Sequence, residues 1–151
     1  MFNSEIPPLE MLVRLTAAVG LALLLGLERE LRGKAAGLRS HMLVSLGAAA
    51  FIMMGMHILF ATGEGDPSAR IDPTRIVEGV IGGIGFLGAG SIIQSRGNIQ
   101  GITTGASIWT AGAVGVASGI GNLALAAMVT VMALIIMAVL GHFEREVIKG
   151  G

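Results

Sequence analysis

Five apolar stretches separated by short polar connections organise the chain: about Leu9 to Leu27, Met42 to Ala61, Ile76 to Ile93, Ile102 to Ile120 and Asn122 to Leu140. Each runs to about 18 to 20 residues, the length a helix needs to cross a hydrocarbon core of ~30 Å at ~1.5 Å rise per residue. The period-two alternation of a membrane β-barrel is missing, and lipid leaves no partner for unpaired backbone groups, so the stretches predict helices. The expected fold class is all-α: a polytopic membrane protein with five transmembrane helices in one domain covering residues 1–151.

The connections sharpen this picture. The first, Glu28 to His41, carries Arg29, Arg32, Lys34 and Arg39. In it Glu28 with Arg32, and Glu30 with Lys34, stand at i, i+4 in the orientation that prolongs a helix, until Gly33 and Gly37 break it. The second, Thr62 to Arg75, holds the turn formers Gly63, Gly65, Pro67 and Pro73. The third, Gln94 to Gly101, and the fourth, Gly119 to Gly121, are short enough to make helices three, four and five sequential antiparallel neighbours. With the N-terminus outside, Arg29, Arg32, Lys34, Arg39, Arg96, Arg145 and Lys149 all face the cytoplasm, against Arg70 and Arg75 opposite. The excess of basic residues on the inside selects N-out, C-in. Acidic Glu5 and Glu10, where a signal peptide carries basic residues, make helix one a retained span.

Composition agrees. Charged residues are 13% of the chain and apolar ones 53%, with a mean hydropathy of +0.79, whereas a soluble domain carries about 25% charged residues. Ten basic residues balance ten acidic ones, so no net charge points to nucleic acid. The absence of cysteine excludes disulfides, thiol catalysis and thiolate metal sites. His142 and Glu146 share a helical spacing in the tail, but the surrounding charges read as a frayed, solvated helix end. No metal, no cofactor and no catalytic constellation is expected, and the chain does not read as an enzyme.

Helix three holds a glycine run from Gly79 to Gly90. Gly83, Gly85 and Gly88 fit the dinucleotide-binding spacing G-x-G-x-x-G, but no strand precedes them and the segment lies inside an apolar span, so the match is coincidental. Packing explains the run better. Glu78, Gly82, Gly85 and Ala89 share one helix face, and helix four carries a matching stripe of Thr104, Ser107, Ala111, Gly115 and Ser118. Small residues let helices approach closely in lipid. The two faces are expected to meet, with Gly82, Gly85, Gly88, Ala89 and Gly90 packed near Ala111 and Gly115. The competing reading is a helix loosened by glycine that lines a path.

Charges inside a bilayer need a partner or a task. Arg14 and Glu78 fall at similar depths of helices one and three, which predicts an ion pair between them; the alternative is Arg14 paired locally with Glu10. His57 reads as an interfacial polar residue. The basic collar after helix one reads as a topology determinant in contact with anionic lipid, or as a docking surface.

Three ordered segments, Leu27 to Val44 (with Glu28, Arg29, Arg32, Gly37 and Arg39), Gly83 to Gly90, and Gly101 to Trp109 (with Thr103, Thr104 and Trp109), resemble the MgtC/SapB family of bacterial membrane proteins. The resemblance implies five helices in the bacterial inner membrane. It also implies links to growth in low magnesium, to survival inside host cells and to restraint of the F-type ATP synthase, without the look of a dedicated magnesium transporter. Many members add a C-terminal soluble domain, so a short form is expected here. At Thr103 and Thr110 the chain departs from a well-known member, which has Asn and Cys there; that Asn is tied to the ATP-synthase effect. The expected function is a regulatory factor in adaptation to low magnesium or in membrane energetics, acting through helix contacts with membrane complexes. The alternative is an oligomeric channel or transporter for a cation or small solute. The expected partners are the lipid bilayer, a second copy of the chain, and a membrane complex such as the ATP synthase.

Overall fold

A computed structural model describes residues 6–63, 72, 74–95 and 98–141. The chain forms five long helices: α1 (Pro8–Leu31), α2 (Leu38–Gly63), α3 (Thr74–Gly90), α4 (Ile102–Ile120) and α5 (Leu123–Ile135), the last running into a π-helical turn over Ile136–Leu140. The second connection, from Glu64 onward, and the tail with His142 and Glu146 lie largely outside the described residues.

The ends of the helices follow local chemistry. Pro7 and Pro8 start α1, where a missing N–H costs nothing. Glu30 accepts the Leu38 N–H at 3.1 Å, so α2 begins four residues before its apolar stretch does. That contact displaces the expected Glu30–Lys34 pairing, whereas Glu28 and Arg32 do pair, at 2.5 Å. Asp72 holds the start of α3 by accepting from the Thr74 N–H at 2.9 Å and its hydroxyl at 2.7 Å. Between α3 and α4 the expected loop is instead a small antiparallel hairpin, Ile93–Ser95 (β1) against Asn98–Gln100 (β2), so α3 stops at Gly90 rather than Ile93. Gly121, at φ 93°, caps α4 in the left-handed region that favours glycine, and the Asn122 side chain then caps α5 by accepting from Leu125 N at 3.1 Å.

α4 is the central helix and packs against all four others, while α3 lies at the periphery, against α4 and, more thinly, α2. Its composition suits that place. Glycine, alanine, serine and threonine fill most of its buried positions, so neighbouring backbones come close. A Cβ on Gly119 would stand 2.8 Å from the Ala49 carbonyl of α2, and one on Gly105 would stand 2.8 Å from the Gly88 carbonyl of α3. Around α4 the apolar core splits in two. One cluster joins Leu25, Ala111, Val114, Ala117 and Ala126; the other joins Ala36, Ala48, Ile84 and Ile108.

The outer surface is apolar, with Leu9, Leu31, Leu43, Phe86 and Met128 among many large exposed hydrophobics. Pro8–Leu31 and Leu38–Phe60 are long and apolar enough to cross a membrane, yet only 22% and 33% of their most apolar windows are buried. The core helix of a soluble protein would be mostly covered, which these are not.

Two packing expectations are corrected. The α4 stripe of Thr104, Ser107, Ala111, Gly115 and Ser118 is buried, but Gly115 sits against Ser45 and Ala48 of α2. The α3 face of Gly82, Gly85 and Ala89, with Gly90 beside it, turns away from α4: Gly82, Ala89 and Gly90 are exposed, and a Cβ on Gly82 or Gly85 would meet nothing within 4 Å. The α3–α4 crossing instead uses Gly88 on Gly105, and Ile84 in the gap left by Gly112. The reason is rotational: Ile84 and Gly88, one turn apart, offer both a side chain to bury and a flat backbone, and burying Ile84 outweighs matching two small stripes.

Candidate functional site: a buried polar network joining α1, α2 and α4

Arg29, on the turn after the apolar part of α1, is only 3% exposed. It follows Ala18, Ala22, Leu25 and Gly26 on the inward face of that helix, so the periodicity that buries those residues carries the guanidinium inward as well. Its Nη2 donates to Thr104 Oγ1 at 2.7 Å across the α1–α4 junction. On α2, His41 is fully buried and stands one turn before Ser45, which donates to the Ala18 carbonyl of α1 at 3.0 Å. The His41 ring bridges two elements, with Nδ1 2.7 Å from the Gly37 carbonyl and Nε2 3.1 Å from Ser107 Oγ. Ser107 in turn donates to the Thr104 carbonyl at 2.9 Å. A continuous chain thus runs from Arg29 through Thr104 and Ser107 to His41 and Gly37.

Glu28 and Arg32 flank it. Glu28 pairs with Arg32 through one oxygen while its other oxygen, Oε2, is buried with no partner, as is the Nε of Arg29. Arg32 also donates to the Ala138 carbonyl at 3.3 Å, tying the end of α1 to the π-helical turn. Gly26 lets this junction close, since a Cβ there would stand 2.8 Å from Leu38 Cα. The network can hold a fixed positive charge, orient a hydroxyl pair and accept or release a proton at one imidazole. Among the described residues no three His, Cys, Asp or Glu side chains gather in a way that could hold a metal ion.

The residues singled out in the sequence divide accordingly. Arg29 and Thr104, from separate motifs, are in direct contact. Arg39, Thr103 and Trp109 are exposed and take no part. The collar is therefore not uniformly solvated, as Arg29 is interior. Arg14 and Glu78 do not pair: Arg14 bonds Glu10 on its own helix and donates to the Gly119 carbonyl at 2.8 Å, while Glu78 is exposed on α3. Reach decides this, because α1 and α3 share no substantial contact. His41 and Ser107 also carry the network, beyond the site residues that the sequence pattern points to. Both lie within the segments that resemble the family, and His41 starts the buried α2 face continued by Ser45, Ala48, Ala49 and Ile52.

A family model described as MgtC family matches residues 15–146, which include every member of this network. The chain belongs to the MgtC family. It is 38% identical over 130 residues to the putative magnesium transporter YhiD of Escherichia coli (strain K12), an alignment covering 86% of this chain and 60% of that protein. Protein MgtC of Brucella abortus (strain 2308) is 40% identical over 117 residues, 78% of this chain and 45% of that protein. Protein MgtC of Salmonella typhimurium (strain 14028s) is 38% identical over 123 residues, 82% and 49% of the respective chains. The chain thus spans between 45% and 60% of the length of these MgtC-family relatives. No solved structure matches it.

Proposed function

We propose that this MgtC-family chain is a multi-pass protein of the bacterial inner membrane, N-terminus outside and C-terminus in the cytoplasm, and that it is a regulatory factor in adaptation to low magnesium or in membrane energetics. It acts through helix contacts with membrane complexes. The observation that supports this reading is the outward face of α3, where Gly82 and Gly85 leave open space. Flat faces of small residues are how helices associate in lipid, where apolar surface alone gives no drive. Glu78 stands on the same face with no hydrogen-bond or ion-pair partner among the described residues, and a neighbouring helix with a donor would relieve it. A second copy and a complex such as the F-type ATP synthase are the candidate neighbours. The cysteine-free sequence makes the test direct. Gly82→Cys should form cross-linked adducts in native membranes, and Gly20→Cys, equally open on α1, should not. Equal behaviour of the two would remove the contact face. Gly65→Cys reacting from outside intact cells, with Lys149→Cys reacting only after permeabilisation, is the outcome the orientation requires.

A second reading, a channel or carrier, draws support from the name of the E. coli relative. Against it stands Arg29, because magnesium is held by oxygen ligands in an octahedral set and the buried network here is centred on a guanidinium. Magnesium flux into liposomes holding the purified protein, above that of empty liposomes, would reverse this preference.

A further inference from the structure

The hydrogen bonds around His41 cannot all be made by a neutral ring. The Gly37 carbonyl only accepts, so at 2.7 Å the Nδ1 of His41 must carry a hydrogen. A neutral ring then presents a bare lone pair at Nε2, which needs the hydroxyl hydrogen of Ser107 at 3.1 Å. Ser107 has one hydrogen, and the Thr104 carbonyl at 2.9 Å, which can only accept, competes for it beside the helical N–H four residues on. Only with a second proton on the ring are all three contacts hydrogen bonds at once, Nε2–H donating to Ser107 Oγ and Ser107 donating to Thr104. The surroundings on balance oppose that proton. Burial disfavours charge, and Arg29 of α1 adds a like charge, while Glu28 of α1 brings a carboxylate with one buried, unpartnered oxygen. α4 contributes only the hydroxyls of Ser107 and Thr104, and α5 carries no titratable side chain over Leu123–Ile135.

We propose that His41 is a proton-binding site whose occupancy is read by Ser107. When a proton from solvent binds at Nε2, the Ser107 hydroxyl turns from the ring to the Thr104 carbonyl and the ring becomes the donor; when it leaves, the hydroxyl turns back. The readout lies at the junction of α1, α2 and α4, because Thr104 is also the residue that holds Arg29. Protonation places a second cation in the cluster with Arg29, and the Glu28 carboxylate is the anion that favours it. The inference rests on hydrogen-bond geometry alone and stands whether the chain regulates or transports.

The test is nitrogen NMR of the full chain, labelled at histidine and held in detergent or nanodiscs, with His41 assigned by the signal missing from His41→Gln. In a titration run from about pH 8 down to 4, the His41 nitrogens should pass reversibly from one protonated and one bare to both protonated. Ser107→Ala removes the acceptor of the charged form and should lower the midpoint by about one pH unit, the worth of one hydrogen bond to a charged group. Glu28→Gln, at a partly exposed position, should also lower it, and supplies the answer if the alanine variant does not fold. A ring that keeps one tautomer throughout that range, or a midpoint indifferent to both substitutions, would overturn the proposal and leave His41 a neutral structural residue.

Discussion

The crossing of α3 over α4 offers the sharpest test of the packing, because two glycines that look alike in sequence have opposite surroundings. A Cβ on Gly105 would lie 2.8 Å from the Gly88 carbonyl oxygen and 3.3 Å from both the Gly88 carbonyl carbon and Ser91 Oγ. The first two neighbours are backbone, so the helices must move apart. A Cβ on Gly82 would meet nothing within 4 Å. Alanine gains about 0.5 to 1 kcal/mol over glycine inside a helix at either position, so that term cancels in the comparison. What remains is the cost of overpacking at Gly105, about 1 to 3 kcal/mol. Taking the middle, Gly105→Ala should be less stable than Gly82→Ala by about 2 kcal/mol, which for a chain of this size is about 4 to 8 °C in Tm. Thermal unfolding in detergent, followed by circular dichroism at one scan rate, measures it. Gly20→Ala, open on α1, serves as a second control. If the Gly105 and Gly82 variants melt together, the Gly88–Gly105 crossing is wrong; if Gly82→Ala falls while Gly20→Ala does not, the outer face of α3 is already occupied.

Three further outcomes follow from named contacts. Thr104→Val, which takes the acceptor from buried Arg29, should cost about 1 to 3 kcal/mol in the same melts, with Thr104→Ser close to the parent and exposed Thr103→Val within about 0.5 kcal/mol. A double-mutant cycle on Arg14→Met and Glu78→Gln should give additive effects to within about 0.5 kcal/mol, since Arg14 is held by Glu10 and the Gly119 carbonyl; a larger coupling would restore the pair across α1 and α3. Thr74 donates to the Asp72 carboxylate through its hydroxyl and N–H, which holds that carboxyl below the usual range. A depressed folded-state pKa contributes stability above the unfolded value that is lost as pH falls through the folded one, so hydrogen exchange at the start of α3 should quicken only in acid, below the ordinary carboxylate range. Asp72→Asn should abolish that dependence, and an unchanged acid response would assign it elsewhere.

Five helices, and their rough limits, were legible because apolar stretch length and turn residues act locally. The run from Ile102 to Ile120 is bounded by glycines that both adopt positive φ, and its helix ends there. The i, i+4 pairs Glu28–Arg32 and Glu10–Arg14 were legible for the same reason, as each needs only one helix to exist. The family segments could likewise be read along the chain. Which faces meet could not. Periodicity puts Gly82, Gly85 and Ala89 on one stripe but leaves the rotation of α3 about its axis free, and that rotation is fixed by burying Ile84 against Gly112 and by seating Gly88 on Gly105. Depth along a helix also says nothing of lateral position: Arg14 and Glu78 match in depth, yet their helices share no substantial contact. Arg29 was the subtlest case, because a basic residue beyond the apolar limit of a helix ordinarily faces water. Only the arrival of α4, presenting the Thr104 hydroxyl 2.7 Å from its guanidinium, gives that charge an interior partner and brings it into one chain of hydrogen bonds with His41.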